Sequence, residues 1–139
     1  MSNTQSNMNA PSMLLQQTHA GRVRAPEIPT GDRVLASTCH LSSLIGIFIW
    51  PALFFPLFLC IFSPGKTLFV TDHAREALNA QISLILVSVL LAVTLIGILL
   101  IPVVLVIYAV NLIRGSVMAA EREFFRYPMA IRILPAPSI

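Results

Sequence analysis

Residues 72 to 81 read Asp-His-Ala-Arg-Glu-Ala-Leu-Asn-Ala-Gln, a run of groups able to carry a proton, hold an ion or hydrogen-bond, set in a largely apolar chain. On a helix, at about 100° per residue, Asp72, Arg75, Glu76, Asn79 and Ser83 share one stripe about 100° wide. Opposite them, Ala77, Gln81, Ser88 and Ala92 form a seam of small and amide residues, the kind that lets membrane helices approach closely and hydrogen-bond. A helix with both faces reads as the central, least lipid-exposed element. Farther along stand Tyr108, Asn111, Arg114 and Gly115. Counted from a turn near Ile98, Arg114 and Asn79 differ in level by about 5 Å. The expectation is that Glu76 or Asp72 pairs with Arg114 across a hairpin. Asp72, Arg75, Glu76, Asn79, Gln81, Asn111 and Arg114 then satisfy one another and fix register, because an unpaired charge in lipid is costly. Two alternatives are a path for a proton, ion or substrate along the stripe and a docking surface for a partner helix.

Other chemistry is sparse. His40 opens the first apolar stretch and His73 precedes the second, so a crossing between them sets the two on opposite membrane faces; His19 belongs to the amino-terminal tail, and no spacing among the three suits zinc. Cys39 and Cys60 fall about 30 Å apart on a straight helix, too far for a disulfide, and are expected as free thiols. Ser42 and Ser43 have no base and acid nearby in sequence, and there is no glycine-rich phosphate loop. The sequence therefore predicts no enzyme, no metal, no cofactor and no small-molecule ligand.

The elements that position these groups follow from where charge is missing. Of 139 residues 56% are apolar and 11% charged, against about a quarter charged in soluble domains. A water-soluble globule and intrinsic disorder are both disfavoured. Net charge is +3, but the basic residues sit at the ends of apolar runs and form no stripe, which argues for a membrane surface and against nucleic acid. Residues 34–65 and 77–113 contain no Asp, Glu, Lys or Arg, and each exceeds the roughly 20 residues that a helix needs to cross. Leu41 to Phe62 reads as one crossing, kinked at Pro51 and Pro56; the alternative is a re-entrant segment that turns near Trp50 to Pro56 and leaves on the side it entered. The second stretch is too long for one crossing. With Gly97 and Pro102 as the reversal, it gives helix 2 over about Ala77 to Ile96 and helix 3 over about Leu99 to Ala119, in a tight hairpin.

The flanks complete the picture. A polar tail, residues 1–38, is expected to be disordered and carries no signal-peptide pattern. Residues 39–123 form the transmembrane domain, and 124–139 form an aromatic and basic interfacial segment in which Arg126 and Tyr127 anchor the helix end among headgroups. Three spans leave three basic residues on one side and six on the other, which puts the carboxyl end in the cytoplasm; a re-entrant first segment puts all nine on one side.

Over His40 to Leu134 the chain resembles the small prokaryotic membrane proteins of domain of unknown function 4870, grouped with the Tic-twenty-like import components of the chloroplast inner envelope. The resembling residues are His40-Leu41-Ser42, Gly46, Pro51, Phe69-Val70, the string His73 to Gln81, Glu123 to Pro128, and Ile131-Arg132. That resemblance implies three or four helices in a prokaryotic inner membrane and no assigned activity. The loop Ser63 to Thr67, with its single Lys66, and Phe124-Phe125 depart from the family pattern.

The expected protein is thus an all-α integral membrane protein of three transmembrane helices, a non-enzymatic subunit or scaffold of a larger membrane complex. Its partners are the lipid bilayer and other membrane proteins or further copies of itself. The alternative is a small transport or protein-translocation component.

Overall fold

The structure is a computed structural model that describes residues 16–17, 23–62 and 67–135. Most of the expected tail, together with His19, Arg22 and Lys66, lies outside the described residues. The fold is helical: α1 (Thr30–Ile45), a 3-10 helix (Trp50–Phe54), α2 (Phe55–Phe62), α3 (Leu68–Ala92) and α4 (Leu95–Ala120). A two-residue antiparallel ladder, β1 (Gln16–Gln17) with β2 (Val23–Arg24), precedes them.

Helix α1 begins eight residues before the expected tail boundary at 38, behind Pro29 at its N-cap and with Asp32 in its first turn. Pro fixes a non-helical entry, and a carboxylate favours the positive end of the helix dipole. Residues 30–38 are therefore helical, which corrects that boundary.

Leu41 to Phe62 is not one helix. It stops at Gly46, turns through 47–49 and restarts twice, with Pro51 in the first turn of the 3-10 helix and Pro56 second in α2. Each proline sits where a helix start leaves the amide without a partner anyway, so each begins an element and does not kink one. Gly46 makes the fold-back possible: a Cβ there would lie 2.6 Å from Leu53 Cγ. Helix α2 returns alongside α1, with Leu59 packed among Cys39, Ala74 and Ala77. At about 1.5 Å per residue, the eight residues of α2 cover about 12 Å and cannot cross. Among the described residues two helices, α3 and α4, are long and apolar enough to do so.

The hairpin between α3 and α4 turns at Val93–Thr94, earlier than the Gly97 expected. Thr94 caps α4 by accepting the Gly97 amide at 2.9 Å. Gly97 is needed one turn later for closeness, since a Cβ there would collide with the Leu91 carbonyl and with Thr94 Oγ1. Pro102 lies inside α4.

Contacts along the helices fix their directions. Arg33 donates to the Ala120 carbonyl, Ser37 Oγ donates to that of Ser116 at 3.0 Å, and His40 lies against Gly115, so α1 and α4 are antiparallel. Ala36 packs with Phe69, His40 meets His73 and Ser43 meets Gln81, so α1 runs parallel to α3. The amino ends of α1 and α3 and the carboxyl end of α4 thus form one charged end. Arg24, Arg33, Arg75, Arg114, Arg122, Arg126 and Arg132 belong to it, and the hairpin tip at the other end carries Val93, Leu95 and Ile96, all exposed. Outward faces are apolar: Phe48 is 86% exposed, Leu90 69% and Leu99 77%.

Candidate functional site: a polar nest under the carboxyl-terminal strap

After α4 the chain turns at Arg122, whose φ of 66° is left-handed, and residues 123–135 run back over α3 as a strap. The polar stripe of α3 holds it. Asp72 accepts two hydrogen bonds from Arg126, Nη1 to Oδ2 at 2.6 Å and Nη2 to Oδ1 at 2.7 Å. One turn on, Glu76 Oε1 accepts the Tyr127 amide at 2.8 Å, and its Oε2 lies 3.8 Å from Arg132 Nε. Asn79 grips the Leu134 main chain on both sides, donating to its carbonyl at 2.8 Å and accepting its amide at 2.9 Å. Ser83 Oγ accepts the Ile131 amide at 2.7 Å, and Arg75 donates to the Pro135 carbonyl at 3.1 Å. Five of these contacts take up main-chain groups of the strap, which has no regular secondary structure of its own to satisfy them.

Behind the stripe lies a fully buried chain of rings. Tyr127 hydroxyl and His40 Nδ1 are 2.8 Å apart, and His40 Nε2 and His73 Nδ1 are 2.9 Å apart. With both imidazoles neutral, the phenol donates to His40 and His40 Nε2–H donates to His73. Phe69, Phe124 and Phe125 pack edge-on or stacked around these rings. Burial pushes the His40 pKa down to about 3. Burial also pushes the Tyr127 hydroxyl well above its ordinary range, and the neighbouring Tyr108 and Glu76 add to this. For Arg126 burial opposes the charge, but the hydrogen bonds and charge of Asp72 outweigh it and raise the guanidinium above its usual value.

Several expectations are corrected here. Neither Asp72 nor Glu76 pairs with Arg114, which is exposed on α4; their partners come from the strap. Asn111 donates to its own helix at the Ile107 carbonyl, 2.8 Å away. Gln81 points to α1 and donates to Ser43 Oγ at 2.6 Å. Tyr127, expected as a headgroup anchor, is 4% exposed and belongs to the core, and Arg126 is spent on Asp72. His40 and His73, expected on opposite faces, touch, because the first apolar stretch folds back. For the same reason Cys39 and Cys60 adjoin one apolar cluster, both as free thiols. The ring chain and the strap were missed by the sequence reading. A signal for both was present in the Arg-Tyr at 126–127, a charge and a phenol placed to answer Asp72 and His40.

The carboxylates and amide of the nest are bonded to the strap and the two imidazoles to each other, while His73 Nε2 is buried without a hydrogen-bond partner. Among the described residues no group of three or more His, Cys, Asp or Glu could hold a metal ion.

Fold and site together define a small helical membrane protein whose polar interior is sealed by its own carboxyl-terminal strap. The family model that matches, over residues 31–134, is that of the magnetosome magnetite crystal formation proteins, MamF/MmsF. The chain belongs to that family. This overturns the resemblance to domain of unknown function 4870 and the Tic-twenty-like components: among the residues that carried it, His73 to Gln81 and Arg126 to Pro128 contribute to the nest of a MamF/MmsF chain. No curated protein and no solved structure matches the chain.

Proposed function

We propose that this protein is a non-enzymatic scaffold subunit of the magnetosome membrane that acts in magnetite crystal formation by holding other membrane proteins or further copies of itself. The observation that carries this reading is the closed nest. Asp72, Glu76 and Asn79 of α3 are engaged by the strap, while the outward surface is apolar and suited to lipid and to neighbouring helices. A transport path along α3 would need that stripe open, and the strap fills it.

In this reading α3 and α4 cross the bilayer, and α1 with α2 forms a re-entrant wedge that enters and leaves at the charged end. The arginines of that end favour a cytoplasmic side for it and for the carboxyl terminus, by the positive-inside rule. The apolar hairpin tip faces the compartment where mineral grows. Deleting the gene in the cell that makes the protein and measuring crystals by electron microscopy tests the role. Smaller or misshapen crystals, restored by the wild-type chain and by a Glu76→Gln chain that folds, support a scaffold. Normal crystals after deletion contradict it, and rescue lost with Glu76→Gln at unchanged protein level favours a path for protons or ions.

A further inference from the structure

Buried side chains keep to one half of the helix pair. On α3 they run from Phe69 to Ser83 and stop there; on α4 they run from Tyr108 to Ala119, with Gly97 added at the turn. The other elements gather around that same half. Ser43 of α1 meets Gln81, and the helix closes two residues later at Ile45. Helix α2 packs Leu59 beside Ala74 and Ala77. The strap goes down α3 and comes back: its Tyr127 amide is on Glu76 and its Ile131 amide on Ser83, and Leu134 and Pro135 then return to Asn79 and Arg75. Ser83 stands ten residues, about 15 Å, short of Val93 at the hairpin turn. That is half of a hydrocarbon core about 30 Å thick.

We propose that the chain is a wedge in the bilayer, which gathers where the membrane is convex on the side of the charged end. The proposal rests on the membrane reading above. In the leaflet at that end α1, α2 and the strap lie beside α3 and α4, and each added helix is roughly 10 Å across. In the other leaflet the hairpin stands by itself, and its residues there are exposed, Leu90 at 69% and Leu99 at 77%. Material held in one leaflet spreads the lipids of that leaflet alone, and a convex surface relieves the mismatch. The strap can lie at this depth because α3 answers its main chain: irregular backbone is tolerated among acyl chains where protein satisfies it. A compartment enclosed within a cell has a membrane convex toward the cytoplasm, the side that the arginines favour. The taper of the chain and the bend of such a membrane agree.

The test uses giant vesicles of phosphatidylcholine and phosphatidylglycerol that carry the full chain in both orientations, with Cys39→Ala, Cys60→Ala and either Glu121→Cys or Val93→Cys, two exposed positions. A membrane-impermeant fluorescent maleimide, added outside, marks the chains that present that position outward. If α3 and α4 cross, the two marked fractions together make up the whole population; complete marking of both shows that the membrane reading fails, and the proposal with it. A narrow tether is then pulled outward, so that its outer leaflet is convex. Chains marked at position 121 are expected to be enriched on the tether, with a tether-to-vesicle ratio that climbs above that of a lipid dye as the tether narrows, and chains marked at position 93 to be depleted. Equal ratios for the two marks, or enrichment of the mark at 93, overturn the proposal. Should a cysteine disturb the fold, the wild-type chain serves. Trypsin, added outside small and large vesicles, cuts at the arginines of outward-facing charged ends, and the fraction of chains cut is expected to be larger in the small ones. An equal fraction at both sizes overturns the proposal as well.

Discussion

Asp72 and Arg126 meet through two parallel hydrogen bonds of 2.6 and 2.7 Å across 54 positions of sequence. Asp72 is 1% exposed and the guanidinium side chain 34%. This pair clamps the start of the strap to α3. Arg126→Leu leaves a buried carboxylate unanswered, and its expected cost is about 3 kcal/mol. Asp72→Asn costs about 2 kcal/mol, because water still reaches the arginine. Thermal unfolding in detergent micelles measures both, and the double substitution is expected to cost less than the sum.

Asn79 holds the far end of the strap by a two-sided grip on Leu134. Asn79→Leu removes both bonds. The expected outcome is early proteolytic cleavage between Tyr127 and the carboxyl terminus while α3 and α4 remain intact, read by limited proteolysis and mass spectrometry. Unchanged resistance would mean that the aromatic residues alone hold the strap.

His40 contributes a loss of stability in acid. Its folded pKa, near 3, lies below the ordinary 6.5, so between those values the unfolded chain binds a proton that the folded chain refuses. Stability from this group is full above pH 6.5 and is lost progressively as pH drops toward 3. Melting temperature measured from pH 7.5 to 4.5 should decline, and His40→Gln should flatten the slope. An equal slope in both chains would assign the acid sensitivity elsewhere.

How far the sequence disclosed this arrangement is clearest at α3. Helical spacing alone put Asp72, Arg75, Glu76, Asn79 and Ser83 on one face, and that face is real, because a 3.6-residue period is local. What answers the face is not local: the strap is some 50 residues downstream and extended, so no periodicity pointed to it. Likewise Pro51, Pro56 and Gly46 gave notice of a break, but whether the chain bends or reverses depends on Leu59 finding Cys39, Ala74 and Ala77. Gly97 signals the turn a few residues late, because Thr94 is the residue that caps α4. The contact of the two histidines depends on the fold-back of the first stretch, which no local spacing encodes.

The turn gives a fourth expectation. Thr94→Ala removes the cap of α4 at a cost of about 1 kcal/mol. Gly97→Ala, which forces a methyl against the Leu91 carbonyl, is expected to cost more and to lower the yield of folded protein in micelles. Circular dichroism melts rank the two.

The central claim is that the first apolar stretch turns back, so that the chain crosses the membrane twice. Single cysteines at Gly31 and Lys66, in a chain with Cys39→Ala and Cys60→Ala, flank that stretch. A membrane-impermeant maleimide applied to intact spheroplasts and to inverted vesicles reads the side of each. Both positions are expected to be labelled only in the inverted vesicles, on one shared side. Labelling of one position in each preparation would mean that the stretch crosses, and would contradict the account.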